Sequence, residues 1–193
     1  MPSQEIEIKL PVESAEQMRV RLLKLGFGER RPRTLETNII FDNAEGLLRR
    51  TGRLLRLRVY GEDRLLTLKA PAQTAVSPYK IRQETEVVVS DGEAMVAVLL
   101  GIGFHQVFRY EKYRTEFVRP ADGRGKLLLD ETPMGSFLEI EGPPEFIDEM
   151  AGRLGFSPAD YITGTYGDLW LEFCRRQGRE PGDMTFGPRA SSP

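Results

Sequence analysis

The chain has 193 residues, of which 40% are hydrophobic and 29% charged, a composition typical of a soluble globular protein with one large or two small domains. Its 27 basic and 29 acidic side chains nearly balance, which argues against a generic nucleic-acid-binding surface, and no apolar run is long enough to predict a membrane partner. With one cysteine and one histidine, an intramolecular disulfide is excluded and a His/Cys zinc site is disfavoured, so we expect a cytoplasmic protein in which any metal has oxygen ligands, as Mg²⁺, Mn²⁺ or Ca²⁺ prefer.

The first half of the chain predicts one helix among several strands. Glu5-Ile6-Glu7-Ile8-Lys9 alternates charged and apolar residues, the pattern of a strand with one polar face. Apolar residues then recur at helical spacing as far as Gly26, which ends the helix. A tight hairpin is expected at Gly61-Glu62-Asp63. The predicted elements are a helix over 13–25 and strands over 36–42, 52–60 and 64–70.

The second half predicts four more strands and three more helices. Ser90 or Asp91 is expected to cap a helix that Gly101 and Gly103 end. The predicted strands cover 79–89, 104–119, 126–131 and 136–141, and the helices cover 90–100, 143–154 and 161–176. No boundary divides residues 1–176, which we expect to form one domain, and the Pro-, Gly- and Ser-containing tail 177–193 is predicted to be disordered.

The charged alternation of the first strand returns in nearly every later strand. Because side chains alternate sides along a strand, the charges of each strand share one face. Such a face is either the wet side of an ordinary sheet or the interior of a closed barrel of about eight strands, which has room for side chains or one small ligand. The charged positions are Glu5, Glu7, Lys9, Arg56, Arg58, Lys69, Arg82, Glu84, Glu86, Lys112, Arg114, Asp130, Glu139 and Glu141.

A barrel interior lined by these groups could not be dry, because an unpaired charge in a low dielectric costs several kcal/mol. Arginine forks and lysine ammonium groups suit phosphate oxygens, whereas carboxylates repel phosphate unless divalent cations lie between them. A polyanion held between a basic wall and a metal-bearing acidic wall satisfies both sets of charges. Phosphoryl transfer requires this arrangement.

An ordered series of motifs over about residues 4–172 resembles the CYTH superfamily, also called triphosphate tunnel metalloenzymes. Its ExExK signature is similar to Glu5-Ile6-Glu7-Ile8-Lys9, and the stretch Asn38-Ile39-Ile40 before Phe41-Asp42 departs from the family pattern. The resemblance implies an α+β fold: a closed eight-stranded antiparallel β-barrel, the triphosphate tunnel, with peripheral helices. The later motifs, in family order, are Leu55-Arg56-Leu57-Arg58, Leu66-Thr67-Leu68-Lys69, Arg82-Gln83-Glu84-Thr85-Glu86, Lys112-Tyr113-Arg114, Asp130-Glu131 and 135–141.

The same resemblance implies a role for each charged position. Glu5, Glu7 and Lys9 are the expected catalytic residues. Glu84 and Glu86 are either ligands of a second metal or salt-bridge partners of the basic wall. The triphosphate is expected to bind Lys9, Arg56, Arg58, Lys69, Arg82, Lys112 and Arg114. The expected ligands of Mg²⁺ or Mn²⁺ are Glu5, Glu7, Glu84, Glu86, Asp130, Glu139 and Glu141.

Two reactions fit this site. In a triphosphatase, a water oriented by Glu5 or Glu7 attacks a terminal phosphorus of inorganic triphosphate, ATP or thiamine triphosphate, and we favour this reaction. In a class IV adenylyl cyclase, the ribose 3′-oxygen attacks the α-phosphorus of ATP. Tyr60, Tyr79 or Trp170 could stack on a base, although each suits core packing equally. A non-catalytic nucleotide or polyphosphate binder is a third alternative, and the sequence leaves open whether the chain is a monomer or a homodimer.

Overall fold

The alternating strands of this chain close into one barrel. The computed structural model describes residues 3–72, 77–120 and 123–187. Its strands are β1 (Ser3–Val12), β2 (Gly28–Asn43), β3 (Leu54–Tyr60), β4 (Asp63–Pro71), β5 (Lys80–Val88), β6 (Phe104–Val118), β7 (Lys126–Thr132) and β8 (Gly135–Glu141). All neighbours pair antiparallel, in the closed order β1-β5-β4-β3-β2-β6-β7-β8. The predicted α+β fold, a closed eight-stranded antiparallel β-barrel with peripheral helices, is therefore confirmed.

Helices lie on the outside of the barrel, and three of the five described helices begin at an N-cap residue whose side chain caps the helix. The side chain of Ser14 accepts a hydrogen bond from the backbone N–H of Gln17, and Asp91 accepts one from Ala94. Each side chain thereby satisfies an N–H group that has no partner within its own helix. The helices are α1 (Ala15–Lys24), α2 (Leu47–Arg50), α3 (Gly92–Gly101), α4 (Pro144–Arg153) and α5 (Tyr166–Arg176), with a 3₁₀ turn over Pro158–Asp160. No helix in the described ranges is long and apolar enough to cross a membrane.

The apolar faces of the strands point outward, where the helices cover them. The largest buried cluster joins α1 and α4 to β1, β7 and β8, with Leu22, Ile140 and Ile147 fully buried. A second cluster lies between α3 and β2 and β3, around Phe41 and Leu57. Because burial outside the barrel holds the apolar side chains, the alternate positions inside are left for polar and charged groups.

Two predicted elements begin more than two residues away from their expected start. The strand expected over 36–42 extends back to Gly28 and pairs with β6 through register shifts on both sides of Arg31. Pro32 lies in this irregular stretch, where its lack of an N–H is tolerated. The helix expected over 161–176 begins only at Tyr166, because the backbone of Ile162 exchanges hydrogen bonds with that of Lys9 at 2.9 and 3.0 Å.

The prediction of disorder from residue 177 is wrong for the residues that the structure describes there. Met184 is fully buried, and its backbone pairs with β6 beside Tyr110. The indole Nε1 of Trp170 on α5 donates a 2.7 Å hydrogen bond to the carbonyl of Gly182. Apolar burial and these backbone bonds hold residues 178–187 against the barrel, despite their glycine and proline content. Residues 188–193 of the predicted tail lie outside the described residues.

Candidate active site

The inward-facing charges line a tunnel with a wide and a narrow part. The wide part, the outer chamber, has a volume of about 870 Å³ and includes Arg30, Glu84, Glu86 and Lys126 in its lining. The narrow part, the inner tunnel, has a volume of about 60 Å³ and is lined by Lys9, Arg56, Lys69, Lys80, Arg82, Tyr110, Lys112, Glu139 and Tyr166, among others. Glu5, Arg58, Arg114 and Glu141 line both parts. Thirteen of the fourteen predicted charged positions line one part or both, and Asp130 is fully buried behind them.

Three carboxylates form an acidic cluster where the two parts of the tunnel meet. Glu5 and Glu7 lie on β1, and Glu141 on β8 is the cross-strand partner of Glu7. One oxygen from each lies within 4.8 Å of the others, a spacing that could hold a metal ion. Oxygen ligands of this kind suit Mg²⁺ or Mn²⁺.

Lysine ammonium groups face each carboxylate of the acidic cluster. Lys69 Nζ donates to both oxygens of Glu5, at 2.8 and 2.6 Å, and Lys80 Nζ donates to Glu7 Oε1 at 2.7 Å. Lys126 Nζ lies 2.7 Å from Glu141 Oε2. Lys80 and Lys126 are the cross-strand partners of Glu7 and Glu141 on adjacent strands, so each carboxylate of the cluster has a cation beside it.

The environments of Glu7 and Glu141 shift their pKa values in opposite directions. Burial alone would raise the pKa of Glu7, but the ammonium groups of Lys9 and Lys80 hold it well below its usual range. Burial raises the pKa of Glu141, and Lys126 offsets only part of that rise because Glu7 and Glu5 add negative charge nearby. Glu7 therefore keeps its charge to lower pH than an ordinary glutamate, whereas Glu141 takes up a proton more readily than an ordinary glutamate.

The arginines of β3 carry hydrogen-bond donors that have no partner in the described part of the chain. Nε and Nη2 of Arg56 and Nε of Arg58 are buried and make no hydrogen bond there. Arg56 Nη1 donates to the hydroxyl of Tyr110 over 3.5 Å, and Glu84 lies 3.9 Å from Arg56 Nη2. Buried donors without a partner are costly, so these guanidinium groups are suited to an anionic ligand.

Asp130 and Glu139 contact cations rather than the acidic cluster. Asp130 accepts two hydrogen bonds from Arg114, at 2.7 and 2.6 Å, and one from Lys112 at 2.8 Å. Glu139 accepts one from Arg114 and lies 3.2 Å from Lys9 Nζ. Of the seven predicted metal ligands, the structure thus brings together Glu5, Glu7 and Glu141, and it pairs Asp130 and Glu139 with the basic groups.

Glu84, Glu86 and Arg82 lie on β5, with the two glutamates in the outer chamber and Arg82 in the inner tunnel. Glu84 is within 3.7 Å of Lys69, and Glu86 accepts a 2.8 Å hydrogen bond from Thr67 Oγ1. Arg82 donates to the carbonyl of Gly52 at 2.6 Å. Of the two alternatives for Glu84, its contacts match a salt-bridge partner of the basic wall.

Several tunnel residues were missed in the sequence. Glu36 is fully buried on β2, within 3.7 Å of Arg58, Lys112 and Arg114. Burial alone would raise the pKa of Glu36, but Arg58, Lys112 and Arg114 hold it well below its usual range. Lys80 and Tyr110 each precede a predicted tunnel residue by two positions, so the strand alternation could have indicated both. Tyr166, whose hydroxyl donates to Asp130 at 2.6 Å, follows a helix cap and carries no such signal.

The aromatic residues considered for base stacking pack elsewhere. Tyr60 donates its hydroxyl to the carbonyl of Arg114, and Tyr79 donates to Asp148. Trp170 is buried against Cys174 and Met184. Among the described residues that line the outer chamber, none is Phe, Tyr or Trp.

By its fold and site, this protein is an eight-stranded β-barrel with a charged tunnel and an acidic cluster. Comparison with known protein families identifies the family. A model of the CYTH domain matches residues 3–166. The chain belongs to the CYTH domain family.

Relatives include a "putative adenylate cyclase" of Methanocaldococcus jannaschii, 30% identical over 145 residues that cover 75% of this chain and 80% of that protein. A solved structure from Vibrio parahaemolyticus, also described as a "putative adenylate cyclase", has a TM-score of 0.75 at 17% identity and covers 88% of this chain and 98% of its own. A "putative adenylyl cyclase" from Hippeastrum, described with a dominant triphosphatase activity, has a TM-score of 0.61 at 20% identity, with 94% and 98% covered. The likeness to the two solved structures shows a shared fold.

Proposed function

We propose that the chain is a divalent-metal-dependent enzyme that hydrolyses triphosphates. The observation that carries this proposal is the presence, within one tunnel, of the acidic cluster and of buried guanidinium donors that make no hydrogen bond in the described residues. The cluster suits a hard cation, and the guanidinium groups suit phosphate oxygens. Substrates of this chemistry are inorganic triphosphate, ATP and thiamine triphosphate.

The donor set fits Mg²⁺ or Mn²⁺. Glu5, Glu7 and Glu141 would hold the ion through oxygen atoms, leaving other coordination positions for water and phosphate, as Mg²⁺ requires. A bound divalent ion would offset negative charge on the phosphate oxygens and make water a better nucleophile at neutral pH. Lys69, Lys80 and Lys126 would be repelled from the carboxylates as the ion binds, because their ammonium groups carry the same sign of charge as the ion.

The residues of this chain supply the remaining parts of the reaction. Arg56 and Arg58 would bind phosphate oxygens through their buried donors, with Lys69 and Arg82 beside them. Glu5 would orient a water and accept its proton as the water oxygen bonds to the terminal phosphorus and the bridging P–O bond breaks. Asp130 and Glu139 would hold Arg114 and Lys9 in position rather than bind metal. The relative from Hippeastrum, with its triphosphatase activity, supports hydrolysis.

The second candidate is an adenylyl cyclase. The outer chamber favours it by size, since about 870 Å³ exceeds the space that an inorganic triphosphate needs and could admit a nucleoside. The names of the M. jannaschii and V. parahaemolyticus relatives point the same way. Against it stands the lining of the chamber, whose described residues offer no aromatic ring for adenine.

Product analysis separates the two reactions. The purified chain is incubated with ATP, inorganic triphosphate or thiamine triphosphate, with Mg²⁺, Mn²⁺ or EDTA, and phosphate, pyrophosphate and cyclic AMP are resolved. We expect phosphate release that EDTA abolishes. Cyclic AMP formed with equimolar pyrophosphate would identify a cyclase instead, and binding of all three compounds without product would identify a sensor.

A further inference from the structure

We propose that the C-terminal segment, residues 178–187, positions Tyr110 and through it Arg56, so that the chain beyond α5 supports the phosphate-binding wall from outside. This inference rests on the proposed function, because it concerns the same tunnel. It assigns positioning roles to Met184 and Tyr110.

The segment holds the backbone on both sides of Tyr110. Strand β7 pairs with β6 only from Tyr113 onward, which leaves the preceding edge of β6 open to another partner. There, the N–H of Met184 donates to the carbonyl of Arg109 at 2.9 Å, and the N–H of Glu111 donates to the carbonyl of Met184 at 2.8 Å. Asp183 adds a carboxylate that accepts from the N–H of Arg109 at 2.8 Å. The peptide groups that flank Tyr110 are therefore fixed by residues that follow the last helix.

Side chains anchor the segment to α5 and to the barrel. Met184 is fully buried in a cluster with Tyr110, Tyr166, Trp170 and Cys174. The ring of Phe186 lies 5.1 Å from that of Tyr113. These contacts, together with the hydrogen bond from Trp170 to Gly182, leave the segment little freedom to move without exposing apolar surface.

Tyr110 connects the segment to the tunnel. Its ring lies in the same cluster as Met184, while its hydroxyl accepts a hydrogen bond from Arg56 Nη1 inside the tunnel. The ring also packs between Phe108 and Tyr166, at centroid distances of 5.7 and 6.2 Å. Nε and Nη2 of Arg56 make no hydrogen bond in the described residues. The contact of Nη1 with the Tyr110 hydroxyl, at 3.5 Å, orients the planar guanidinium group and with it these two donors.

Three variants test this inference. A chain that ends at Gln177 lacks the segment, and M184D keeps the full length but places a carboxylate at a fully buried site. Y110F removes the hydroxyl that Arg56 contacts and leaves the segment in place. The control is M184L, which keeps the apolar anchor at similar volume. Circular dichroism checks that each variant folds.

Two readouts are combined. Fluorescence of Trp170, the only tryptophan, reports whether the segment is docked, because undocking exposes the indole. Calorimetry with Mg²⁺ and imidotriphosphate, a triphosphate analogue with nitrogen in the bridging positions, measures the affinity of the tunnel. We expect the truncated chain and M184D to emit at longer wavelengths and to bind about tenfold more weakly, the loss typical of a hydrogen bond to a charged group. Y110F should bind the analogue equally weakly, with unchanged Trp170 emission. In Y110F, KM should rise by a larger factor than kcat falls. The double variant Y110F/M184D should bind no more weakly than M184D alone.

The inference is overturned if the emission of M184D shifts while its affinity stays within twofold of wild type, or if Y110F binds as wild type does. It is also overturned if the losses of Y110F and M184D multiply, because the two residues would then act independently. A wild-type chain that fails to bind the analogue contradicts the proposed function itself, a result distinct from equal binding by wild type and variants.

Discussion

At the scale of single residues, the lysines and the arginines of the tunnel differ in their contacts. A lysine is a compact charge on a flexible stem, whereas an arginine presents a rigid planar fork. Lys69 and Lys80 hold Glu5 and Glu7 at 2.6 to 2.8 Å, while Arg56 and Arg58 keep buried donors that make no hydrogen bond in the described residues. We expect the lysines to move from carboxylate to phosphate when metal and substrate bind, and the arginines to stay in place.

The first prediction concerns Glu5. E5Q removes one charged ligand of the acidic cluster and the proposed proton acceptor, so we expect weaker Mn²⁺ binding and a loss of triphosphate hydrolysis of roughly a hundredfold or more. Electron paramagnetic resonance of free Mn²⁺ measures binding, and phosphate release measures turnover. E62Q, in the exposed turn between β3 and β4, is the matched control and should behave as wild type. An E5Q variant that binds Mn²⁺ like E62Q would remove Glu5 from the metal site.

The second prediction concerns pH and Glu141. Burial raises the pKa of Glu141, and only the ionised carboxylate binds metal. As pH is lowered, the affinity for Mn²⁺ should therefore begin to fall at a pH above the range in which an ordinary glutamate titrates. K126Q removes the ammonium 2.7 Å away, which raises the pKa further and shifts the loss to higher pH. Mn²⁺ titrations between pH 8 and 5 measure the shift, with K24Q as control. A pH profile of K126Q equal to that of K24Q would contradict this assignment.

The third prediction concerns Glu36 and stability. The folded-state pKa of Glu36 lies well below the ordinary value of 4.5. Its contribution to the free energy of unfolding is therefore fully present above pH 4.5 and is lost as the pH falls toward the folded-state pKa. E36Q leaves Arg58, Lys112 and Arg114 without this buried partner and should lose about 3–5 kcal/mol of unfolding free energy at pH 7.

Urea unfolding at pH 7 and pH 3.5 tests this prediction. The difference between wild type and E36Q should shrink at the lower pH, because below the ordinary pKa of 4.5 the unfolded chain takes up a proton on Glu36 that the folded chain binds only at lower pH. A difference that stays constant or grows would show that the charge of Glu36 is not what stabilises the fold. The exposed E62Q again serves as control.

At the scale of elements, period-two alternation predicted every strand of the barrel, because each strand has one apolar outer face and one polar inner face. The early part of β2 was missed, since Pro32 and the bulges around it interrupt that period. The start of α5 and the docking of the C-terminal segment depend on contacts with Lys9 and with the open edge of β6. Such long-range pairing leaves no periodic trace in the local sequence.

The fourth prediction concerns the close approach of β7, β8 and α4. A Cβ added to Gly125 would meet the carbonyl oxygen of Glu141 and the ring of Phe146, both at 2.4 Å. G125A should therefore lower the unfolding free energy by roughly 1–3 kcal/mol and displace the backbone of Glu141. G101A, where nothing lies within 4 Å of the added atom, is the control and should be neutral or slightly stabilising. Urea unfolding compares the two, and equal stabilities would contradict the predicted clash.

At the scale of the whole molecule, the barrel is apolar outside and charged inside. Among the described residues, the tunnel and the groups directly behind it combine more basic side chains than carboxylates. The basic side chains are Lys9, Arg30, Arg56, Arg58, Lys69, Lys80, Arg82, Lys112, Arg114, Arg119 and Lys126, and the carboxylates are Glu5, Glu7, Glu36, Glu84, Glu86, Asp130, Glu139 and Glu141. The strand alternation predicted fourteen of these positions, but not which cation meets which carboxylate, because that depends on register across the closed barrel. Because the carboxylates already pair with much of this basic charge and repel phosphate, we expect a triphosphate to bind more favourably when divalent cations bind with it.

The most direct test of this account is phosphate release from inorganic triphosphate by the wild-type chain, with Mg²⁺ or Mn²⁺ and then with excess EDTA. We predict release with either ion and none with EDTA, because the metal-free tunnel lacks the positive charge that the substrate requires. Release that continues unchanged in EDTA would contradict the metal-dependent mechanism. A chain that neither binds nor hydrolyses triphosphate with any of these ions would contradict the assignment of the tunnel as a triphosphate site.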